Sequence, residues 1–348
     1  MLKKIDHITM VVQDFRKAAK AYADMFGFKM IDSMRGPDGE FISVTLSTGD
    51  IKVQLLQPLK EGSYLRFLEK KGGGLHTVAF LTDDIIKEIK ALKAQGKKLQ
   101  NEEPIQTYGE RVVFIQPSAP DNVTIMLVEK RARPLEEMGS FFDARIEGYE
   151  AHMLWGDGNK TYIETAKLIP ATSGIKILDL GCGTGLELDE IFKVNPTVQV
   201  TGIDLSEKML EKLRQKHVAR KSQLCLILAD YFKYNFGEDI FDIAVSSSSL
   251  HHFTPVKKIG LYKKICASLK PDGFYIENDY MAPTQEYEDY HFAENKRIRA
   301  ELGIKNGFYH YDTPCTVENQ IGMLKKAGFT SVKKAGQFDF DVILVARK

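Results

Sequence analysis

Three acidic residues and a run of glycines in the second half of the chain have the types and spacing of a nucleotide-binding site. Asp179 ends a short apolar stretch, and glycines follow it at positions 181, 183 and 185. Such glycines remove side chains, so that backbone can approach a ligand beside the positive end of a helix. Asp204 ends the next apolar stretch, where a carboxylate can accept hydrogen bonds from ribose hydroxyls, and Asp230 with Tyr231 ends a third. Together they predict a pocket for a ligand that contains a nucleoside.

A glycine run taken alone is also compatible with two different structures. One is a tight turn between strand and helix that binds nothing, and the other is the cofactor site of a dinucleotide-dependent dehydrogenase, which carries a similar turn. A dehydrogenase accounts for neither Asp230 nor the terminal hairpin that the sequence predicts.

The first half of the chain contains a second set of residues with potential chemistry: His7, Gln54, His76 and Glu129. They occupy the first and last strands of each copy of a repeat that spans residues 5–130. Because alternate residues of a strand share a face, these side chains can converge inside a cup while their neighbours pack under helices. Two imidazoles and two oxygen donors suit a divalent ion such as Co, Mn, Ni, Fe or Zn.

The repeat that positions this second set has the order strand, helix and three strands, and it occurs twice. In the first copy we predict strands at 7–12, 28–34, 41–46 and 51–57 and a helix at 15–26. In the second copy we predict strands at 75–81, 98–102, 111–116 and 123–128 and a helix at 84–94.

After charged residues at 130–137, strands alternate with helices, which is typical of a parallel sheet with crossovers. A leading helical region at 141–168 precedes strands at 176–180, 199–203, 225–229, 241–246 and 273–277 and helices at 186–192, 207–216, 256–269 and 317–327. Two last strands, at 331–335 and 338–345, are joined by Gly336 and Gln337 and predict a terminal hairpin. We expect a domain at 1–130, a linker at 131–140 and a second domain at 141–348.

Composition limits the class of partner. The chain has 48 Lys plus Arg against 47 Asp plus Glu, so its net charge gives no general attraction for nucleic acid or anionic membranes. The four cysteines, Cys182, Cys225, Cys266 and Cys315, fit neither a disulfide framework nor a zinc motif. With no apolar run of transmembrane length, we expect a soluble, cytoplasmic protein that acts on a small molecule.

Residues 140–348 resemble class I S-adenosylmethionine-dependent methyltransferases. The matching strings are Leu-Asp-Leu-Gly-Cys-Gly-Thr-Gly at 178–185, Gly-Ile-Asp-Leu-Ser at 202–206, Ala-Asp at 229–230, Phe-Asp-Ile-Ala-Val-Ser at 241–246 and Leu-Lys-Pro-Asp-Gly-Phe at 269–274. The resemblance implies a Rossmann-like sheet that binds S-adenosylmethionine, with Asp179, Gly181 and Gly183 at the methionine end, Asp204 at the ribose, and Asp230 with Tyr231 at the adenine. The candidate cofactor set also includes Cys182, Gly185, Leu205 and Ser246.

The methyl acceptor is expected beside His251 and His252, since the family often places acceptor-facing residues beyond the fourth strand. Either imidazole can serve as a general base near neutral pH, or the pair can begin a helix and form only local hydrogen bonds. The aromatic segment 280–311 is the expected lid over the acceptor, and Tyr149 and Trp155 are candidates to close over the cofactor.

Residues 1–130 resemble the vicinal oxygen chelate (glyoxalase/bleomycin-resistance) superfamily and, within it, methylmalonyl-CoA epimerase. The matching strings are Ile-Asp-His-Ile-Thr at 5–9, Ile-Lys-Val-Gln-Leu-Leu-Gln-Pro-Leu at 51–59, Gly-Leu-His-Thr-Val-Ala-Phe at 74–80 and Ile-Met-Leu-Val-Glu at 125–129. The resemblance implies a cup of paired βαβββ units in which a divalent metal held by His7, Gln54, His76 and Glu129 polarises a thioester carbonyl. Glu129 is the candidate base on one face, and no second acid is secure, since the register of Glu40 is uncertain.

Three functions follow from these resemblances. The first is a bifunctional enzyme that combines methyl transfer with metal-dependent epimerisation, isomerisation or lyase chemistry on a carbonyl or acyl-CoA compound. The second is a single-activity methyltransferase whose first domain only binds or presents the acceptor. The third is a non-catalytic, resistance-type protein that sequesters a small molecule. Cup domains of this superfamily often pair, so we also expect a homodimer.

Overall fold

The chain folds as two compact units, residues 1–134 and Leu135–Lys348. The computed structural model describes residues 2–36, 39–107, 110–115, 123–130, 135–154 and 158–348. Gln116 of a predicted strand, residues 131–134 of the predicted linker and Trp155 lie outside the described residues. The second unit begins at Leu135, which is buried, and it therefore includes residues 135–140 of the predicted linker.

The first unit contains an eight-stranded mixed sheet in the order β2-β3-β4-β1-β5-β8-β7-β6. The first copy of the repeat consists of β1 (Leu2–Val11), α1 (Phe15–Phe26), β2 (Lys29–Arg35), β3 (Phe41–Thr48) and β4 (Ile51–Pro58). The second copy consists of β5 (Gly74–Thr82), α3 (Ile85–Ala94), β6 (Ile105–Thr107), β7 (Glu110–Ile115) and β8 (Thr124–Lys130). Helix α2 (Ser63–Lys71) connects the copies. The twofold repeat predicted from the sequence is therefore present.

Two features of this unit differ from the prediction. The third strand of the second copy is β6, whereas in the predicted segment 98–102 Leu99 forms an isolated bridge with Ile115. The side chain of Asn101 accepts a hydrogen bond from Phe114 N–H over 2.9 Å and donates to the carbonyl of Glu103 over 2.7 Å. These bonds stabilise a bend in place of a strand. Helix α2 was not predicted.

The second unit contains a seven-stranded sheet in the order β11-β10-β9-β12-β13-β15-β14. The strands are β9 (Lys176–Leu180), β10 (Gln199–Asp204), β11 (Leu224–Leu228), β12 (Phe241–Ser247), β13 (Leu269–Tyr280), β14 (Ser331–Phe338) and β15 (Asp341–Arg347). The helices are α4 (Met138–Asp143), α5 (Tyr149–Met153), α6 (Gly158–Ala166), α7 (Leu186–Val194), α8 (Glu207–Lys216), α9 (Pro255–Ser268), α10 (Gln285–Glu301) and α11 (Val317–Lys326). The first five strands pair in parallel, and β15 pairs antiparallel with both neighbours.

The terminal hairpin is present, but its turn lies at Asp339 and Phe340 rather than at Gly336 and Gln337. Asp339 adopts a φ of 52°, a left-handed conformation that aspartate tolerates better than most residues. The inner parallel strands are largely buried, whereas the edge strand β11 is partly exposed, and the carboxyl ends of β9, β10 and β12 place Leu180, Asp204 and Ser247 at one edge of the sheet. Among the described residues, every helix is too short or too polar to cross a membrane.

Candidate functional site

A pocket with about 530 Å³ of empty space, part of it open to solvent, lies at the carboxyl-terminal edge of the second sheet. Backbone and small side chains form its floor, and aromatic and thioether side chains form its walls. It is lined by Met138, Phe142, Tyr149, Gly181, Gly183, Asp204, Leu205, Met209, Tyr231, Ser247, Ser248, Ser249, His252 and Phe253. Five of the residues predicted for the cofactor are therefore brought together here: Gly181, Gly183, Asp204, Leu205 and Tyr231.

The glycine turn lies against the pocket because it has no side chains. Gly181 and Gly183 adopt φ angles of 72° and 49°, in the region that favours glycine. A Cβ atom on Gly181 would lie 2.2 Å from Ser249 Oγ, which is too close for any real contact. The N–H of Gly181 donates to the carbonyl of Ile203 over 2.8 Å and attaches the turn to the end of β10.

Asp204 fixes the same turn from the neighbouring strand. Its Oδ2 accepts a hydrogen bond from Gly183 N–H over 2.8 Å, and its Oδ1 accepts one from Ser206 N–H over 2.8 Å. Burial raises the pKa of Asp204, and these N–H donors oppose the rise by stabilising the carboxylate. The carboxylate therefore joins the glycine turn to the start of α8.

Asp179 lies beneath the turn and does not line the pocket. It is fully buried and neighbours Glu187, which is also buried in the first turn of α7. Burial, followed by the charge of Glu187, raises the pKa of Asp179 well above its usual range, and burial raises the pKa of Glu187 to about 7. Both oxygens of Asp179 lack a conventional hydrogen bond to other described groups. The pair therefore favours sharing a proton over carrying two charges.

The other candidates for the cofactor lie outside the pocket lining. Asp230 accepts a hydrogen bond from Phe232 N–H over 2.9 Å and pairs with Lys233 at 3.4 Å. Ser246 Oγ is 2.6 Å from Tyr275 Oη in the core, because alternation along β12 turns it away from the pocket. Cys182 is buried against Gly202, and Gly185 is the N-cap of α7 with α8 close behind it. The sequence-based assignments of Ser246 and the Cys182 side chain to the cofactor are therefore at variance with the structure.

His251 and His252 lie in the turn between β12 and α9, before the helix begins. His252 lines the pocket, whereas His251 is buried and its Nδ1 is 2.6 Å from Asp279 Oδ1. Burial lowers the pKa of His251, but the charge of Asp279, its hydrogen bond and the charge of Asp312 together outweigh burial, so the net pKa is raised. Burial and the charge of His251 lower the pKa of His252, which favours its neutral form.

Two residues of the predicted lid segment, Phe308 and His310, pack against aromatic side chains near the pocket. Phe308 packs on Phe232 and Phe253 with ring centroids 5.2 and 5.3 Å apart, and its carbonyl accepts a hydrogen bond from Met138 N–H over 2.9 Å. The ring of His310 stacks on Phe141 at 3.5 Å. The sequence did not identify Met138, Phe142 or Met209 as pocket residues, because their apolar side chains are indistinguishable from core in a sequence pattern.

One face of the first sheet carries the predicted metal ligands His7 and Gln54. The registers Thr9↔Gln54 and His7↔Ala79 place them on the same face, and Thr9 Oγ1 donates to Gln54 Oε1 over 2.9 Å. His7 Nδ1 is 2.9 Å from Asp6 Oδ2, so Asp6 favours the tautomer with the proton on Nδ1. His7 Nε2 is buried without a hydrogen-bond partner among the described residues. This atom therefore has the environment of an unfilled ligand position.

His76 reaches the same face through an irregularity in β5. Thr9 pairs with Thr77 but Met10 pairs with Leu75, so the pairing shifts at His76. The imidazole then contacts Tyr64 and Phe67 of α2, with ring centroids 4.9 Å away from each. Burial lowers the pKa of His76, which favours the neutral ring that a metal requires.

Glu129 lies on the opposite face from His7, against the sequence-based assignment. Its Oε2 accepts a hydrogen bond from Ile85 N–H at the start of α3 over 3.1 Å and forms an ion pair with Arg111. Because side chains alternate along β8, Met126 occupies the face of His7 instead, through the register Met126↔Ala79. Of the four predicted ligands, the face therefore carries the two imidazoles and the amide oxygen, and Met126 rather than Glu129 lies on it.

Glu110 is the acidic residue of this face that the sequence did not identify. It opposes Lys130 in the register of β7 and β8 and lies among Asp6, His7 and Lys52. Burial raises the pKa of Glu110, with the charge of Lys130 opposing the rise. A buried carboxyl with a raised pKa close to an imidazole is a candidate acid or base.

Replacing Gly181 with alanine tests the glycine turn. We expect Gly181→Ala to weaken S-adenosylhomocysteine binding at least about tenfold, because the left-handed backbone and Ser249 both oppose a methyl group. Gly260→Ala in α9, where a Cβ atom has open space, is the matched control and should leave binding unchanged while adding about 1 kcal/mol of stability. Calorimetric titration gives both affinities, and equal affinity for Gly181→Ala and wild type contradicts the role of this turn.

The Asp179–Glu187 pair predicts a pH dependence of folding. A carboxyl whose pKa rises from 4.5 to about 7 on folding stabilises the native state at low pH, and this stabilisation is lost as pH increases through that interval. We expect Glu187→Gln to remove the part of this loss that Glu187 causes, so that the free energy of unfolding of the variant gains up to about 3 kcal/mol on wild type between pH 4.5 and 8. Denaturant titrations at each pH measure this difference. Glu211→Gln, on the exposed face of α8, should follow wild type, and parallel curves for all three proteins would exclude the pair as the cause.

Comparison with known proteins assigns both units to families. Residues 177–273 match the family model for a methyltransferase domain, and residues 6–114 match that of the Glyoxalase/Bleomycin resistance protein/Dioxygenase superfamily. Carboxy-S-adenosyl-L-methionine synthase of Campylobacter fetus is 32% identical over 114 residues, 33% of this chain and 46% of that protein, so the chain spans about half the length of this relative. The enzyme of the same name from Nautilia profundicola is 28% identical over 61% of this chain and 93% of its own length.

The first unit has relatives of a different kind. Ethylmalonyl-CoA/methylmalonyl-CoA epimerase of Cereibacter sphaeroides is 30% identical over 121 residues, 34% of this chain and 90% of that protein. The chain therefore belongs to the glyoxalase superfamily through its first unit, and it joins this methylmalonyl-CoA epimerase-like domain to an S-adenosylmethionine-dependent methyltransferase domain.

Proposed function

We propose that the second unit transfers the methyl group of S-adenosylmethionine to a small molecule that enters beside His252. The observation that carries this proposal is the pocket in which the glycine turn, Asp204 and Tyr231 meet. Gly181 and Gly183 would face the methionine end, with Asp179 acting from beneath the turn. Asp204 would accept hydrogen bonds from the ribose, and Tyr231 would pack on the adenine with Asp230 near its amino group.

The transfer itself needs little from the protein except alignment. A nucleophilic atom of the acceptor attacks the methyl carbon, the carbon–sulfur bond breaks, and its electron pair stays on sulfur to leave S-adenosylhomocysteine. His252, which is neutral at working pH because its pKa is lowered, would take the proton that the acceptor loses. His251 would act as a positioning residue, held by Asp279.

Synthesis of a carboxylated S-adenosylmethionine is the second candidate, because two relatives are carboxy-S-adenosyl-L-methionine synthases. An added carboxylate requires a positive charge close to the sulfonium methyl group. Among the described residues that line the pocket, none is lysine or arginine. This composition favours methyl transfer.

For the first unit we propose binding of a carbonyl compound, with an acyl-CoA as the favoured class because relatives are named acyl-CoA epimerases. His7, Gln54 and His76 would hold a divalent ion, which when bound polarises the carbonyl. Glu110 would move the proton, and Asp6 would keep His7 in the tautomer that leaves Nε2 free. Three neutral ligands without a carboxylate bind a cation more weakly than the predicted set of four. The identity of the ion, an acyl-CoA as the ligand and a homodimer remain predictions.

Product analysis tests the methyl-transfer proposal. We expect the full-length protein to convert S-adenosylmethionine to S-adenosylhomocysteine in a metabolite extract, with one metabolite gaining one methyl group by mass spectrometry. Asp204→Asn should lower turnover at least about tenfold, because an amide cannot accept every hydrogen bond that the carboxylate accepts. Asp272→Ala, at an exposed position, is the control. Accumulation of a carboxylated S-adenosylmethionine in place of S-adenosylhomocysteine would establish the second candidate instead.

Two separate variants, one at Met126 and one at Glu129, test the proposed metal site of the first unit. We expect Met126→Glu to bind Mn²⁺ at least about tenfold more tightly than wild type, because it adds a carboxylate on the face of His7. Glu129→Gln should leave Mn²⁺ affinity unchanged and lower stability by about 1–3 kcal/mol, because it removes a charged partner of Arg111. Electron paramagnetic resonance titration reports bound Mn²⁺. Loss of binding in Glu129→Gln, with no gain in Met126→Glu, would restore Glu129 as the ligand.

A further inference from the structure

Three histidines surround one carboxylate beside the pocket of the second unit. His251 and His252 come from the turn before α9, and His310 and Asp312 come from the segment between α10 and α11. Asp312 Oδ1 lies 3.1 Å from His252 Nδ1, 3.6 Å from His251 Nε2 and 3.9 Å from His310 Nε2. The sequence suggested the first two as bases and placed His310 in the predicted lid, but it did not identify Asp312.

These distances are compatible with coordination of a single ion. The ligand atoms of His251, His252 and Asp312 all lie within 4.8 Å of one another, and among the described residues this is the one such group of histidine, cysteine or acidic side chains. His252 Nδ1 and Asp312 Oδ1 are buried and, although 3.1 Å apart, are not aligned as a hydrogen bond. Metal–ligand bonds of about 2.0–2.2 Å separate adjacent ligand atoms by about 2.8–3.6 Å, which matches the two shorter distances.

The partner of His251 gives it the orientation of a metal ligand. Asp279 is buried and is held by backbone N–H donors from Leu250 and Tyr280, each over 2.9 Å. An ionised Asp279 can only accept, so the neutral His251 ring, which is the form that binds a metal, carries its proton on Nδ1 and directs its Nε2 lone pair toward Asp312. A carboxylate that fixes the tautomer of a histidine in this way is the usual support of a histidine bound to metal.

We propose that His251, His252 and Asp312, with His310 as a further donor, bind a divalent transition-metal ion. Two or three imidazoles and one carboxylate with open positions are typical ligands of Zn²⁺, Fe²⁺ and Co²⁺. Because His252 also lines the pocket, the open positions would bind an anionic oxygen of the acceptor, such as a carboxylate, enolate or phenolate.

This proposal rests on the methyltransferase function and deepens it. With an ion bound, His252 Nδ1 would be a ligand and could no longer take the acceptor's proton. The ion would instead favour the oxygen anion of the acceptor, and the proton would pass to solvent water.

The test separates this ion from one held by the first unit. The full-length protein with His7→Gln and His76→Gln serves as the background, is stripped with a chelator and is titrated with Co²⁺ while its visible absorption is recorded. We expect one equivalent of Co²⁺ with d–d bands of a nitrogen and oxygen site. Adding Asp312→Asn should weaken binding at least about 100-fold, and adding Asp279→Asn should weaken it about 10–100-fold.

S-adenosylhomocysteine affinity of the Asp312→Asn protein, measured by calorimetry, reports folding and separates the two proposals. If the Asp312→Asn protein retains its affinity for S-adenosylhomocysteine but loses Co²⁺ binding, the result supports the metal site. If the background protein does not bind S-adenosylhomocysteine, the result counts against the methyltransferase function and leaves the metal site untouched. The metal proposal is overturned if the background protein binds no Co²⁺ at concentrations of about 100 µM, or if Asp312→Asn binds it as tightly as the background. If the Asp312→Asn protein does not fold, the Co²⁺ affinity of the Asp279→Asn protein is compared with that of the background protein instead, and equal affinity overturns the metal proposal.

Discussion

The pocket of the second unit depends on one carboxylate that receives two backbone N–H groups. Asp204, at the end of β10, accepts hydrogen bonds from Gly183 in the neighbouring turn and from Ser206 at the start of α8. A buried carboxylate is stable only when donors compensate its lost hydration, so these bonds stabilise the charge and hold the turn. The position of the turn determines where backbone can approach a ligand. The aromatic side chains of the pocket therefore surround a glycine turn whose position is fixed.

A carboxylate also orients a histidine in each of the two candidate metal sites, and the two sites differ in the residues that surround that histidine. In the first unit, Asp6 orients His7 and leaves Nε2 without a hydrogen-bond partner among the described residues, and Met126 lies on the same face of the sheet. In the second unit, Asp279 orients His251 toward a carboxylate, Asp312. Each centre has a carboxylate behind a histidine. In the second, the oriented ring also faces Asp312 at 3.6 Å, and in the first, the acidic residue of the same face is Glu110, which lies among Asp6, His7 and Lys52.

Local patterns allowed much of the fold to be predicted. Strand β9 and helix α8 were predicted at their observed bounds, since an apolar run before glycines and a capped amphipathic segment are strong signals. The face on which Glu129 lies was not predicted, because a strand sequence shows the alternation of side chains but not which face packs against a helix. In the structure, the Glu129 carboxylate lies on the helix side and accepts a hydrogen bond from Ile85 N–H. Likewise, the approach of Asp312 to His252 depends on a long inserted segment whose path no local signal encodes.

A crystal structure of the full-length protein with S-adenosylhomocysteine tests the central claim most directly. We predict electron density for the nucleoside between the glycine turn and Tyr231, with the ribose hydroxyls within hydrogen-bond distance of Asp204 and the sulfur facing His252. Density at another site, or a ribose without contact to Asp204 in a pocket that remains otherwise intact, would contradict it.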